Sequence, residues 1–385
     1  MLPRSSRSDT IRPFQVMRLL ARARELEQQG RDIVHMEIGE PDFPTPQPVL
    51  DAAQAAIATG NIHYTPATGL PQLKQHIAGF YQQRYGVQLD PNRIVITPGA
   101  SGALLLALAT VAEPGKTILV SDPGYPCNSN FVRFLAGQIR AVPVNADSAY
   151  QITLEHLQTH WDATTVGVVL ASPSNPTGTL LASEELKAII EFVREQNGVI
   201  FMDEIYHGLV YTDHVETILK FSDDAFVINS FSKYFGMTGW RVGWLVTPEQ
   251  YLTAIDNFAQ NIFLAAPTPA QHAALAAFSP ENIAILEARR AEFKQRRDYL
   301  LPALRDLGFK ITTEPQGAFY IYCDCSRFTD DSMQFVEDLL ENIGVALTPG
   351  ADFGEYKANT HVRVAYTTSM KRLEEGVKRL RVFLM

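Results

Sequence analysis

The chain has 385 residues, of which 46% are hydrophobic and 19% charged, and this composition excludes a disordered or fibrous protein. Its formal net charge of -9 and the lack of any basic run argue against general nucleic-acid binding, which needs clustered Lys and Arg. The chain is too long for one small core, so we expect two compact domains.

We expect neither a secretory signal nor a membrane-spanning segment in this sequence. No run of about 18 apolar residues predicts a membrane-spanning helix. The N-terminus meets charged residues before an apolar region develops, unlike a secretory signal. Cys127, Cys323 and Cys325 lack paired spacing, which favours reduced thiols over disulfides or zinc ligands. We therefore expect a cytoplasmic protein without a metal site.

The first predicted element is an amphipathic stretch from Phe14 to Gln29. Between residues 94 and 247, short apolar runs alternate with segments of helical periodicity, among them Ser101–Ala112 and Ser183–Gln196. The runs are Ile94–Thr97, Lys116–Asp122, Gln138–Val144, Thr165–Ser172, Val199–Asp203, Ala225–Ser230 and Arg241–Val246. Their continuous apolarity indicates strands covered on both faces. The sequence thus predicts an α/β fold with a mostly parallel seven-stranded sheet between helices.

After residue 248 the pattern becomes helical and ends in the long stretch Glu281–Leu307. Two further strands and two further helices follow in the last part of the chain. They are Ala318–Cys323, Ser332–Asn342, His361–Thr367 and Met370–Leu384. We predict a large domain over residues 45–285 and a smaller α+β domain over 286–385. Residues 1–44 are expected to form an arm that joins the smaller domain.

One lysine stands in a stretch crowded with small residues, from Ser230 to Gly243, directly after a predicted strand. Lys233 in a partly desolvated site would lose proton affinity, so its amine could attack a carbonyl and hold it as an imine. Ser230 and Arg241 flank it at spacings that suit a hydroxyl and a guanidinium on one phosphate. The alternative is a surface lysine and a structural arginine in a glycine-rich loop.

This stretch resembles the lysine motif of the class I and II aminotransferases, members of the fold-type-I pyridoxal 5′-phosphate family. The likeness extends to Asn175-Pro-Thr-Gly178 after one strand, Asp203-Glu-Ile-Tyr206 at the end of the next, and Arg363 in a late strand. These motifs occur in the family's order and run from about Ile38 to Arg363, which is most of the chain. Their combination is highly specific.

The resemblance implies a role for each matching residue around the cofactor. Lys233 would carry it, and Asp203 would pair with the pyridine nitrogen and strengthen the ring as an electron sink. Asn175 and Tyr206 would hydrogen-bond the phenolic oxygen of the cofactor. Taken singly, Asp203 could equally cap a helix, and Asn-Pro-Thr-Gly could be an ordinary turn.

The phosphate end of the cofactor is implied by a different set of residues. Backbone N–H groups of Ala100 and Ser101, between a strand and an apolar helix, would meet the phosphate at a helix N-terminus. Tyr125 matches the aromatic residue that stacks on the pyridine ring, although a core tyrosine fits the local sequence nearly as well. Tyr64 resembles the tyrosine that reaches the phosphate of the neighbouring subunit. This last likeness implies a homodimer with shared active sites.

The resemblance also implies the reaction, a ping-pong transfer of an amino group from an L-amino acid to a 2-oxo acid. Arg363 would bind the substrate α-carboxylate, assisted by Asn175 and the backbone of Gly39. The freed Lys233 would move the α-proton, with Asp203 and Tyr206 completing the catalytic set. A β-eliminating carbon-sulfur lyase shares these motifs, and a non-catalytic regulator that kept the fold is a further alternative.

Substrate choice is less defined. Ser101 stands where some bacterial aspartate-specific relatives are expected to carry lysine, which weakens an aspartate assignment. Ile38, Phe43 and Phe353 are candidates to line a pocket for neutral side chains, although all three also fit a hydrophobic core.

Overall fold

The computed structural model describes residues 5, 7–11, 13–213 and 215–384. Thirteen α-helices form within this part of the chain. They are α1 Arg7–Thr10, α2 Gln15–Gln28, α3 Gln47–Ala58, α4 Pro71–Tyr85, α5 Gly99–Ala109, α6 Pro126–Phe134, α7 Leu154–His160, α8 Ser183–Glu195, α9 Leu252–Ile262, α10 Thr268–Leu275, α11 Pro280–Leu307, α12 Ser332–Ile343 and α13 Met370–Leu384.

Twelve β-strands belong to the same described residues. They are β1 Val34–His35, β2 Ile94–Thr97, β3 Thr117–Asp122, β4 Gln138–Pro143, β5 Thr165–Ala171, β6 Val199–Asp203, β7 Phe226–Ser230, β8 Gly243–Val246, β9 Tyr320–Asp324, β10 Val345–Ala346, β11 Thr348–Pro349 and β12 His361–Ala365. Each of the seven apolar runs predicted between residues 94 and 247 contains one strand.

Seven strands form one sheet in the order β2-β8-β7-β6-β5-β3-β4. β3 to β7 pair in parallel with one another, whereas β8 is antiparallel to both of its neighbours, β2 and β7. The predicted α/β fold with a mostly parallel seven-stranded sheet is confirmed. Since parallel strands need helical crossovers, helices cover the sheet on both faces, as the continuous apolar runs predicted.

Alternate residues of these strands face two separate hydrophobic cores because strand side chains point to opposite faces in turn. Val95, Ile118, Val169, Phe201 and Leu245 face α5 and α9, whereas Ile94, Leu119, Val168, Ile200 and Val246 face the larger core on the other side. α5 is apolar all round and lies in the interior, and its Leu106 and Leu108 are fully buried. The N-terminus of this buried helix is thereby held rigidly against the sheet.

Two smaller sheets are built from the last part of the chain and from the N-terminal segment. β9, β11 and β12 form an antiparallel sheet, and β1 pairs in parallel with β10. The segment 1–44 thus contributes a strand beside residues of the predicted smaller domain. The division at residues 45 and 285 itself stays a prediction. None of the helices in the described ranges combines the length and apolar character that crossing a membrane requires.

Candidate active site

Three neighbouring parallel strands end at one edge of the seven-stranded sheet. Ala171 of β5 pairs with Asp203 of β6, which in turn pairs with Ile228 of β7. The loops that follow these strands therefore start side by side, as the carboxyl ends of parallel strands do in open α/β sheets. These strand ends and loops carry Asn175, Asp203 and Lys233.

A cavity of about 300 Å³ opens at this edge. It is lined by nearly all of the predicted site residues: Gly39, Ala100, Ser101, Tyr125, Asn175, Asp203, Tyr206, Lys233, Arg241 and Arg363. Two predicted residues do not line it. Ser230 lies behind its wall, and Tyr64 lies on the surface with 81% of its area exposed. Ten positions from distant parts of the sequence thus meet in one concave site.

Lys233 points into the cavity, where its amine donates a hydrogen bond to the backbone carbonyl of Gly39 at 2.6 Å. Burial, followed by repulsion from the guanidinium of Arg363, lowers the pKa of Lys233 to about 8. A substantial fraction of the amine is therefore neutral near physiological pH. A neutral amine has a free electron pair, so Lys233 can act as a nucleophile or as a proton acceptor.

Asp203 places a carboxylate at the floor of the site. One of its oxygens accepts a hydrogen bond from the backbone N–H of Ile205 at 3.0 Å. Burial nevertheless raises the pKa of Asp203 to about 6, against the opposing effects of that hydrogen bond and of the charge on Lys233. A buried carboxylate so weakly compensated is suited to pair with a cationic group of a bound molecule.

An anion-binding cradle lies at the other end of the cavity. α5 begins at Gly99, so backbone N–H groups of its first turn are free to meet an anion. Arg241 adopts the left-handed backbone conformation with φ +53°, and its guanidinium passes so close to Gly99 that a Cβ there would lie 2.4 Å from Nη2. Gly99 is thus required for the approach of the guanidinium to the helix N-terminus.

A serine hydroxyl beside Arg241 comes from Ser232, which the sequence did not single out. Its hydroxyl lies 3.5 Å from Nη1 of Arg241, and the residue lines the cavity. The hydroxyl of Ser230 is bonded instead to Ser232 at 2.9 Å and to the carbonyl of Val242 at 3.2 Å. Ser230 therefore stands one hydrogen bond behind Ser232, and its predicted direct contact with a phosphate stays a prediction.

Arg363 of β12 is the third cationic group of the site and is almost fully buried. Its Nη1 donates to Oδ1 of Asn175 at 2.9 Å, and its Nη2 donates to the carbonyl of Glu37 at 2.6 Å. Its Nε has no hydrogen-bond partner among the described residues. Arg363 and Asn175 therefore lie together, and their predicted binding of a substrate carboxylate stays a prediction. A buried guanidinium with spare donors is suited to a carboxylate.

Tyr320 completes the site and was missed in the sequence. Its hydroxyl lies 2.8 Å from that of Tyr206, and its ring centre lies 4.2 Å from the guanidinium carbon of Arg363. The residue begins β9, where it has the appearance of an ordinary strand tyrosine. The run Ala318–Cys323 contains two tyrosines, Tyr320 and Tyr322, and nothing in the sequence shows which of them reaches the site.

The apolar candidates separate into three situations. Ile38 lines the cavity, and Phe353 packs on Arg363 with its ring centre 4.8 Å from the guanidinium carbon. Phe43 does not line the cavity. It packs edge-on against Phe293 and beneath Arg296, in agreement with the predicted core alternative. Phe43 belongs to the core because the long helix α11 covers it.

Taken together, the site offers an anion cradle, a nucleophilic amine, a buried carboxylate and a second guanidinium. This arrangement suits a bound molecule with a phosphate at one end, a carbonyl group and a basic ring nitrogen, beside a substrate carboxylate. The chain belongs to the aminotransferase class I and II family, whose model matches residues 31–380. Enzymes of this family use pyridoxal 5′-phosphate, and the resemblance stated from the motifs is confirmed.

Curated relatives of nearly full length agree with this assignment. The chain is 38% identical over 370 residues to the valine–pyruvate aminotransferase of Mycobacterium tuberculosis, covering 96% of this chain and 95% of that protein. It is 32% identical over 378 residues to the aspartate/prephenate aminotransferase of Thermus thermophilus, covering 97% of each. Both relatives transfer amino groups according to their names.

Solved structures show the same fold. An aminotransferase from Mycobacterium tuberculosis superposes with a TM-score of 0.97 at 36% identity, covering 100% of this chain and 99% of that one. The aspartate aminotransferase from Thermus thermophilus with maleate gives a TM-score of 0.94 at 31% identity, covering 100% of both chains. The protein is therefore an aminotransferase, a transferase of nitrogenous groups. These relatives do not favour the carbon-sulfur lyase or the non-catalytic regulator.

Proposed function

We propose that this aminotransferase holds pyridoxal 5′-phosphate on Lys233 and uses Arg363 to bind the carboxylate of its amino-acid and oxo-acid substrates. The observation that carries the proposal is the position of the Lys233 amine. It has a pKa lowered to about 8 and lies in one cavity with the anion cradle of Arg241 and the buried carboxylate of Asp203. These are the partners that the cofactor's aldehyde, phosphate and ring nitrogen need.

The phosphate is assigned to the backbone N–H groups of Ala100 and Ser101, the guanidinium of Arg241 and the hydroxyl of Ser232. Ser230 supports this set through its hydrogen bond to Ser232. A dianionic phosphate at the N-terminus of α5 gains from the free N–H groups and from the helix dipole. The exposed position of Arg241 leaves its remaining donors available.

The ring of the cofactor is assigned to a further set of residues. Asp203 would pair with the protonated ring nitrogen, which relieves the cost of its own burial. Tyr206 would donate to the phenolic oxygen, and Asn175 would assist. Tyr125, at the start of α6, provides an aromatic face in the cavity. When bound, the cofactor supplies an electron sink that makes the substrate α-proton acidic.

Lys233 then performs the proton transfer with its own amine. With the cofactor bound, Nζ of Lys233 would accept the α-proton of the donor, and a pKa lowered to about 8 suits a general base. Arg363 and Asn175 orient the α-carboxylate so that the α-carbon faces Lys233. In the ping-pong sequence the first oxo acid leaves before the second binds, so both use the same guanidinium.

We infer a homodimer in which Tyr64 of one subunit completes the site of the other. Tyr64 lies outside its own cavity and is almost fully exposed. Large apolar side chains near Tyr64 in the sequence, Ile57 and Ile62, are exposed as well. Ile262 and Leu264, in a second segment, are also exposed. Such side chains suit a subunit interface. The three free cysteines support our proposal of the cytoplasm as the compartment.

An absorbance spectrum of the purified protein, before and after adding single amino acids without an oxo acid, tests the proposal. We expect a cofactor band that shifts to the amine form of the cofactor with productive donors and that is lost in Lys233→Ala. Pyruvate and ammonia released from cysteine-like donors would instead indicate a lyase. If no cofactor binds after addition of pyridoxal 5′-phosphate, the proposal is refuted.

A further inference from the structure

The first turn of helix α2 forms part of the cavity wall. Phe14, Val16 and Met17 all line the cavity, beside Ile38. The ring of Phe14 also stacks on that of Tyr125, with centroids 6.4 Å apart and an angle of 17° between the planes. These side chains give the cavity an apolar stretch of lining. We refer to Phe14, Val16, Met17 and Ile38 as the apolar wall.

This helix cannot cap its own N-terminus. Its N-cap residue is Phe14, which has no side-chain oxygen to accept from the first backbone N–H groups. Asp352 supplies the missing acceptor from the other end of the chain. Its two carboxylate oxygens accept from the N–H of Gln15 at 2.6 Å and from that of Val16 at 2.9 Å. An anionic acceptor at this position also matches the helix dipole.

The same short segment supports the carboxylate-binding guanidinium. Phe353, the residue after Asp352, packs on Arg363. The Nη2 of Arg363 also donates a hydrogen bond to the hydroxyl of Thr348 at 3.2 Å. Asp352 is itself buried, so its position is well determined by the surrounding chain. Residues 348–353 thus hold Arg363 from one side and the start of α2 from the other. The distance between a bound carboxylate and the apolar wall is set by this segment.

The charges around the cavity define which side chain fits the wall. Among described residues that line the cavity, the cations are Lys233, Arg241 and Arg363. The proposed function assigns all three of them to the cofactor or the α-carboxylate. Glu40 lines the cavity beside Ile38 and would repel an acidic substrate side chain. Among the residues that one subunit contributes, the space next to the apolar wall therefore suits an uncharged, apolar side chain.

We propose that Asp352 is a positioning residue that holds the apolar wall in place, and that this wall selects amino donors with bulky apolar side chains. The inference rests on the proposed role of Arg363, because the carboxylate must be bound there for the donor side chain to face the wall. A small donor such as alanine does not reach the wall and does not depend on Asp352.

The test compares L-alanine with L-leucine and L-phenylalanine as donors in wild type, Asp352→Ala and Asp352→Asn. We expect Asp352→Ala to lower kcat/KM for L-leucine and L-phenylalanine at least about tenfold, mainly by raising KM. The value of kcat/KM for L-alanine should change less than about threefold. Asparagine keeps one acceptor oxygen, so kcat/KM of Asp352→Asn for the large donors should lie between the values of wild type and Asp352→Ala. Phe14→Ala, which leaves the cap intact, should show the same selective loss of large donors.

Asp331→Ala is the matched control. Asp331 caps α12 in the same manner, accepting from the N–H groups of Met333 at 3.0 Å and Gln334 at 3.1 Å, but α12 does not line the cavity. This variant should leave the ratio of large to small donors unchanged. Amide hydrogen exchange gives a readout that is independent of activity. The N–H groups of Gln15 and Val16 should exchange at least about tenfold faster in Asp352→Ala and at the wild-type rate in Asp331→Ala.

Each result decides the inference. An equal loss for all donors in Asp352→Ala, or an unchanged ratio together with an unchanged exchange rate, would overturn it. If Asp352→Ala does not fold, Phe14→Ala decides by the donor ratio alone. A wild-type protein that binds the cofactor but transaminates no donor would refute the proposed function instead. A wild type that prefers acidic donors would contradict the apolar selection while leaving the proposed function intact.

Discussion

The hydroxyl oxygens of Tyr206 and Tyr320 lie 2.8 Å apart, in the interior of the site. The ring centre of Tyr320 also lies 4.2 Å from the guanidinium carbon of Arg363. One side chain thereby contacts both the residue assigned to the cofactor's phenolic oxygen and the residue assigned to the substrate carboxylate. Burial raises the pKa of both tyrosines, so both hydroxyls stay protonated and can donate.

Tyr320→Phe should raise the pKa of the cofactor-bound Lys233 nitrogen. When the hydroxyl of Tyr320 donates to the oxygen of Tyr206, Tyr206 becomes a stronger donor to the phenolic oxygen of the cofactor. This stronger hydrogen bond disfavours a proton on the cofactor-bound nitrogen of Lys233. A lost hydrogen bond of about 0.7 kcal/mol corresponds to a rise of roughly half a pH unit. A pH titration of the cofactor's absorbance measures it. Tyr322→Phe, on the same strand but outside the cavity, is the control, and an unchanged titration in Tyr320→Phe would refute the coupling.

The cofactor-free protein should become more stable when Lys233 is replaced by methionine. Burial lowers the pKa of Lys233 from 10.5 to about 8, so the folded chain binds fewer protons than the unfolded chain between these pH values. Stability therefore rises with pH across this window, and below it the buried amine is destabilising by up to about 3 kcal/mol. Urea unfolding of both cofactor-free proteins at about pH 7 and about pH 10 measures the difference.

We expect Lys233→Met to exceed wild type in the free energy of unfolding near pH 7 and to lose most of that advantage near pH 10. Lys294→Met, at an exposed lysine that pairs with Asp298 at 2.8 Å, should change stability by less than about 1 kcal/mol at either pH. A lower stability of Lys233→Met at neutral pH would show that the hydrogen bond to Gly39 outweighs the desolvation of the amine.

Gly39→Ala should impair the site through Tyr320. A Cβ at Gly39 would lie 2.0 Å from the hydroxyl oxygen of Tyr320 and 3.0 Å from the ring carbon that bears it, so the tyrosine must move. We expect kcat/KM to fall at least about tenfold, since small displacements of positioning groups are costly to catalysis. Steady-state kinetics with one good donor measures this loss.

Gly79→Ala provides a matched control for that substitution. Gly79 lies inside helix α4, and a methyl group added there would have nothing within 4 Å of it. Alanine at this position should leave kcat/KM unchanged and stabilise the protein by about 0.5–1 kcal/mol, because glycine is a poor helix former. If Gly39→Ala retains full activity, Tyr320 is free to relocate and does not position the substrate.

Two inactive variants should restore activity when their subunits are mixed. Tyr64→Ala removes the residue assigned to the neighbouring site, whereas Lys233→Ala removes a residue of the subunit's own site. A mixed dimer then carries both defects in one site and none in the other. With free exchange of equal amounts, about half of the dimers are mixed, and about a quarter of wild-type activity is expected. Assay after subunit exchange measures it, and no recovery would contradict shared sites.

Local patterns in the chain were sufficient for the sheet and for the charged centre of the site. Seven runs marked all seven strands, and six of these strands are largely buried, because a strand covered on both faces must be apolar throughout its length. The edge strand β4 is largely exposed. Lys233 and Arg241 stood out because each places a reactive or charged group close to the end or the start of such a run, whereas Asp203 was assigned through the resemblance of its motif to the aminotransferase family. The carboxyl ends of parallel strands lie at one edge of the sheet, so the position of a residue at a strand end predicts its place at that edge.

The partners of these groups depend on contacts between distant segments. Asp352 and Gln15 are 337 residues apart, and Tyr206 and Tyr320 are 114 apart. Nothing in the neighbourhood of Ser232 in the chain distinguishes it from Ser230, and only the left-handed turn at Arg241 brings the guanidinium to the former. The core partner of Phe43 is likewise distant in sequence, since Phe293 belongs to α11. Periodicity records which side chains are buried, but only the packed chain decides which buried side chains meet.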